Sequence, residues 1–187
     1  MATVLVILAP GAEEIETITV ADVLVRAGQQ VLIASTTALP QVLGSRGLPL
    51  GAHTTLDAVG DRVFDLIYLP GGMGSATTMR DDARVQGLAG RQLASGRTLA
   101  IICASAIALV PNGLGKGRRV TSYPGVRAQV EPHVGAWLDQ AVVEDGNLVT
   151  SQAAGTAMAL GLTLARRLAG GEISAKLAQD MLATPVA

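Results

Sequence analysis

The sequence predicts an α/β protein in which a doubly wound, mostly parallel sheet is sandwiched by helices. Three observations carry this. The chain opens strand–helix–strand, a unit whose strands run parallel through a right-handed crossover. Short apolar runs recur and several end at Pro or Gly, as buried central strands do. Hydrophobic residues make up 49% of the chain but aromatics only 2%, so Val, Leu, Ile and Ala must fill the core, which favours parallel strands covered by helices.

Val4 to Leu8 is the first apolar run, stopped by Pro10-Gly11. Glu13 to Arg26 follows with Ile15, Ile18, Val20, Val23 and Leu24 at helical spacing, an expected buried face, and Gly28 closes it. Val31 to Ala34 completes the opening unit. Residues 36 to 62 are rich in Gly, Pro and Thr, with alternating pieces at Gln41 to Leu43 and Leu48 to His53 that predict a small hairpin excursion. Leu66 to Leu69 is a core strand ending in Pro70-Gly71-Gly72, Asp82 to Ser95 a helix with Val85, Leu88 and Leu93 inward, and Thr98 to Ile102 the next buried strand. Ala104 to Leu109 reads as a short helix broken by Pro111-Asn112-Gly113. A basic turn at Lys116 to Arg119 leads to a short strand and a stretch holding Tyr123, His133 and Trp137. Val142 to Glu144 and Leu148 to Thr150 flank Asp145-Gly146, a hairpin signal. Two helices, Ala154 to Leu168 and Glu172 to Leu182, close the chain. With no repeat or linker, residues 1–187 are expected to form one domain.

Composition also excludes. Lys and Arg total 14 against 15 Asp and Glu, a formal charge of -1, so nothing draws the chain to nucleic acid or anionic lipid. The opening residues read as a strand rather than a signal peptide, and no apolar run reaches membrane-spanning length, so a cytoplasmic location is expected. One cysteine rules out an intramolecular disulfide and a multi-cysteine zinc site, and no metal or cofactor is expected.

That cysteine, Cys103, follows an apolar strand and precedes Ala104-Ser105-Ala106. Such a strand-to-helix turn projects its side chain beyond the carboxyl edge of a parallel sheet, where ligands bind and a helix terminus favours thiolate. A buried, inert thiol finishing a strand is the local alternative. The loop after the first strand carries Glu13, Glu14 and Glu16 to the same edge. Capping and the helix dipole account for Glu13 and Glu14, whereas Glu16, one turn in, can point back over the sheet. Gly71 and Gly72 follow a core strand, where backbone N–H groups can approach a ligand or oxyanion; no Gly-Lys-Ser/Thr follows, so this is no phosphate loop.

The segments GAEEIETITVADVLVRAG, SRG, DLIYLPGGMG, AIICAS, VTSYP and LVTSQAAGTA, in this order, resemble the ThiJ/PfpI superfamily over residues 3 to about 170, nearest to the branch of the parkinsonism-associated protein deglycase and bacterial YajL. The resemblance implies a flavodoxin-like sandwich, usually a homodimer, with an oxidation-prone cysteine and a glutamate beside it, here Cys103 and Glu16. It also implies backbone oxyanion donors at Gly72 and Ala104, and arginines that line or buttress the site across the dimer interface, Arg26 and Arg46. Peptidase relatives carry His after the cysteine; Ala104 stands there, which argues against proteolysis. Tyr123 occupies a place where the branch often has His. Ser105 departs from the usual Cys-Ala-Gly-Pro and is expected to cap N–H groups. Gln152-Ala153-Ala154-Gly155-Thr156 replaces a familiar Gly-Pro-Gly-Thr turn at the rim. His53 and His133 read as surface residues.

A carboxylate beside a thiolate repels it, so this pair yields a reactive sulfur only if desolvation keeps the proton on Glu16. Two functions fit. One is a cofactor-independent glyoxalase or deglycase acting on dicarbonyls such as methylglyoxal or on their protein adducts. The other is an oxidative-stress sensor or chaperone-like protector whose cysteine goes to sulfinate. An inert scaffold is a third.

Overall fold

The computed structural model describes residues 1–185. Strand β1 (Thr3–Leu8) leads into helix α1 (Glu14–Arg26), capped by the Glu13 carboxylate accepting from the Ile15 N–H, and Gly28, at φ +77°, turns the chain into β2 (Gln30–Ser35). The expected excursion is an antiparallel hairpin of β3 (Gln41–Leu43) and β4 (Pro49–Gly51), followed by β5 (Thr54–Thr55) and a single turn, α2 (Leu56–Val59). Next come β6 (Leu66–Leu69), α3 (Met73–Asp81), α4 (Ala83–Ala94) and β7 (Thr98–Ile102). Helix α3 escapes the sequence reading because MGSATTMRD lacks an apolar stripe; only Ser75, Ala76 and Met79 are buried along it. Cys103–Leu109 forms 3-10 turns rather than an α-helix. The remainder is β8 (Arg119–Val120), α5 (Arg127–Val130), β9 (Ala136–Trp137), the hairpin β10 (Val142–Asp145) and β11 (Leu148–Ser151), and helices α6 (Ala157–Ala169) and α7 (Gly171–Asp180).

Seven strands form the main sheet in the order β10-β11-β7-β6-β1-β2-β5, parallel except at β10. This is the flavodoxin-like α/β sandwich. Alternation within the central strands divides the core. Leu5, Ile7, Ile67, Leu69, Leu99 and Ile101 face a layer holding Met79, Val85 and Ile107, whereas Val4, Val6, Leu66, Tyr68, Ala100 and Ile102 face Val20, Leu24, Leu160 and Leu164. Period-two alternation on strands buried on both sides accounts for both sets.

One expectation fails on α1. Ile15 and Ile18, read as inward, are 55% and 50% exposed, while Glu14 and Glu16 are buried. The first turn of α1 overhangs the carboxyl edge of the sheet, so what lies beneath it is the loop after β6 and the elbow after β7 rather than apolar core. Only from Val20 onward does the apolar side of the helix meet the sheet and α6, whose Gly161 lies so close that a Cβ there would stand 3.0 Å from Val23. No helix among the described residues is long and apolar enough to cross a membrane.

Candidate active site

Three adjacent strands, β7, β6 and β1, deliver the site from their carboxyl ends. Cys103, directly after β7, has φ +62°, a left-handed conformation that costs an ordinary residue roughly 1 kcal/mol or more. Its neighbours hold it there, with the Tyr123 N–H donating to the Cys103 carbonyl at 3.3 Å. The thiol is partly exposed. Backbone N–H groups of Ala104 and Gly72 lie near enough to the sulfur to favour its thiolate form. Gly72 takes φ +89°, and a Cβ there would collide with the Gly11 carbonyl oxygen, so only glycine fits.

Glu16 is fully buried beside the thiol. Its Oε2 accepts the Gly71 N–H at 2.8 Å, and its backbone carbonyl accepts the Tyr68 hydroxyl at 3.0 Å; its Oε1 is buried without a partner of good geometry. A Cβ on Gly71 would strike both Glu16 Oε2 and Cys103 Cβ, which shows how tightly the two side chains close around that residue. Burial raises the Glu16 carboxyl to about 7, against the pull of the Cys103 and Gly71 hydrogen bonds. Burial, then the Glu16 charge and hydrogen bond, push the Cys103 thiol up to about 12, opposed by the Ala104 and Gly72 N–H groups. Both shifts run in one direction: the doubly ionised pair is disfavoured.

The pair opens into a cavity of about 730 Å³ whose walls include Ile15, Arg46, Met73, Tyr123 and the Ala153-Ala154 rim. Sequence reasoning therefore brings together Cys103, Glu16, Gly71, Gly72, Ala104, Arg46 and Tyr123. Within its own chain Arg26 stands apart from the site, paired with Asp22 at 2.8 Å on the exposed outer side of α1, toward the end remote from Glu16. Ser105 caps no N–H group; it is buried and donates to the Pro70 carbonyl at 2.5 Å, tying the elbow to the end of β6. His53 is on the surface, accepting the Ile33 N–H at 3.0 Å, and His133 is exposed.

Glu14 was underrated by a reading confined to helix capping. Its carboxylate accepts from the Ser45 hydroxyl at 3.0 Å and from the Arg46 N–H at 2.8 Å, and Glu13 takes the same hydroxyl at 2.5 Å. Burial alone would raise the Glu14 carboxyl, yet the Arg46 and Leu48 N–H groups and Ser45 together hold it below its ordinary value. These bonds fasten the Ser-Arg-Gly turn over the pocket. Consecutive acids facing a turn some thirty residues later leave no local signal, because the pairing is made only by the fold.

Fold and site together define a flavodoxin-like protein of the cysteine-elbow class, with a buried carboxyl set against the thiol. The DJ-1/PfpI family model matches residues 2–167, and the chain belongs to the DJ-1/PfpI family. It is 40% identical over 178 residues to protein dj-1beta of Drosophila melanogaster, covering 95% of each chain. The crystal structure of that Drosophila DJ-1beta superimposes with a TM-score of 0.95 at 38% identity, over 98% of both chains. A further relative, the glutathione-independent glyoxalase DJR-1.2 of Caenorhabditis elegans, is 34% identical over 169 residues, covering 90% of this chain and 89% of its own.

Proposed function

We propose that this chain is a cofactor-independent, cysteine-dependent glyoxalase or deglycase acting on reactive dicarbonyls such as methylglyoxal or on their adducts with proteins. The observation that carries the reading is the Cys103 thiol at a strained elbow beside the buried Glu16 carboxyl, in an open pocket that Gly72 and Ala104 also line. Relatedness to a glutathione-independent glyoxalase supports the reaction class.

The Cys103 proton passes to the Glu16 carboxylate as the sulfur adds to the aldehyde carbon. A C–S bond forms, the carbonyl π pair moves onto oxygen between the Gly72 and Ala104 N–H groups, and the Glu16 proton neutralises it. Glu16, now a carboxylate, takes the hydrogen from the sulfur-bearing carbon, giving an enediol. Protonation at the neighbouring carbon then yields a 2-hydroxy thioester. Water cleaves it, releasing lactate and restoring the thiol. The aldehyde carbon is oxidised as its neighbour is reduced, so no external electron carrier is needed.

The test is methylglyoxal consumption and lactate release without glutathione. Cys103→Ser should abolish turnover and Glu16→Gln should lower kcat about 10²-fold or more. Turnover undiminished in Cys103→Ser would sink the proposal. A wild type that turns nothing over but forms sulfinate selectively at Cys103 under mild peroxide transfers the assignment to redox sensing. The proposal extends to a homodimer, supported by the exposed Ile15, Ile18 and Val25 on one face of α1, beside Arg26.

A further inference from the structure

A second cavity, of about 200 Å³, lies at the opposite edge of the sheet, where β6 and β7 begin, between the loop before β6 and the second half of α4. Three guanidinium groups line it, Arg62, Arg91 and Arg97. In a chain with formal charge -1 this is a local excess of cation. Among the described residues, none of the three forms a salt bridge, whereas Arg26, Arg80, Arg84, Arg118, Arg119, Arg127, Arg166 and Arg167 all do. Asp61 also lines the cavity, yet it pairs with none of the three.

Two of the three are tied to their surroundings. Arg62 stacks over the Phe64 ring, 5.4 Å from its centroid. The Arg97 carbonyl accepts from Asn147 Nδ2 at 3.0 Å, and the same amide bonds the Leu93 carbonyl, which pins the turn that presents the Arg97 side chain. Gln92 bonds the carbonyls of Phe64 and Thr98, each at 3.0 Å, joining α4 to the starts of both strands. The Nε of Arg97 is buried with no hydrogen-bond partner. A guanidinium N–H taken from water without an acceptor is costly, and an incoming oxyanion would recover that cost.

We propose that this cavity is a binding site for a small phosphate-bearing metabolite. Planar guanidinium forks bind tetrahedral oxyanions through paired hydrogen bonds, and the convergence of three suits a dianion. Val63, Ile67 and Leu88 complete the lining, which gives a short carbon skeleton an apolar wall. The site is separate from the Cys103 pocket and does not rest on its proposed chemistry.

The test follows arginine Nε–Hε and backbone amide resonances of the full chain during titration with inorganic phosphate and, separately, glycerol 3-phosphate, at fixed ionic strength set with chloride. Saturable shifts of the Arg62, Arg91 and Arg97 Nε–Hε signals are expected, with the monoester binding more tightly because it also meets the apolar wall. Arg97→Gln should weaken binding at least tenfold. The double variant Arg62→Gln/Arg91→Gln changes two exposed side chains, keeps the fold within reach should Arg97→Gln fail to fold, and should do the same while leaving methylglyoxal turnover unchanged. Shifts that grow linearly and match those produced by chloride alone, or that centre on Arg46 and Gly72, would overturn the assignment.

Discussion

The buried Glu16 carboxyl beside Cys103 has a thermodynamic signature apart from catalysis. Unfolded, the Glu16 carboxyl ionises near 4.5; folded, near 7. Between these values the native chain keeps a proton that the unfolded chain has released, so stability is fully present below 4.5 and is lost as pH rises through 7. The loss amounts to about 3 kcal/mol. Glu14 does not blur this window, because its lowered carboxyl titrates below 4.5. Urea unfolding at pH 5 and at pH 8 should therefore show the wild type less stable at the higher pH by that amount, with the difference largely removed in Glu16→Gln. Equal slopes in the two proteins would mean that Glu16 is ionised throughout. The cysteine itself was legible in the sequence as one of two local readings, elbow or buried thiol, and the family resemblance favoured the elbow. The missing partner of Glu16 Oε1 was not, because no neighbour in sequence reveals it.

The first turn of α1 departs furthest from pattern reasoning. Helical spacing nominates Ile15 and Ile18 for the core, yet the turn lies past the end of the sheet, and the inward positions go to acids that bond other loops. Glu14→Ala should cost about 2 kcal/mol, since it orphans the Arg46 N–H and strips Ser45 of a partner. Hydrogen exchange of residues 44–48 should rise well above that of β6, and KM for methylglyoxal should increase more than kcat falls, because Arg46 borders the pocket without touching the sulfur. Unchanged protection at 44–48 would show that the hairpin holds itself. The β3–β4 and β10–β11 hairpins were readable because turn residues announce them, and α3 was not, because its buried side chains are too few and too small to make a stripe.

The sheet order was predictable in kind but not in detail. Doubly wound topology follows from alternating strands and helices, whereas the strand order and the pairing of the two-residue β5 with β2 are set by contacts between separate segments that no local run announces. The exposed face of α1 bears on assembly. Light scattering should give twice the 19.0 kDa chain mass for the wild type, and Ile18→Asp should return it toward a single chain; a wild type at the single-chain mass would remove the dimer. The convergence of three strands on Cys103 has a further consequence, for the order in which the chain acquires structure. The thiol leaves β7, its carboxyl neighbour belongs to the helix after β1, and the glycines close the gap from β6, so the sulfur meets its partners only when distant stretches of chain have paired. Parallel pairing of this kind is slow to nucleate. A solitary cysteine so placed is a built-in clock: until the last of the three strands docks it behaves as any free thiol, and its change of reactivity marks the moment at which the long-range topology is complete.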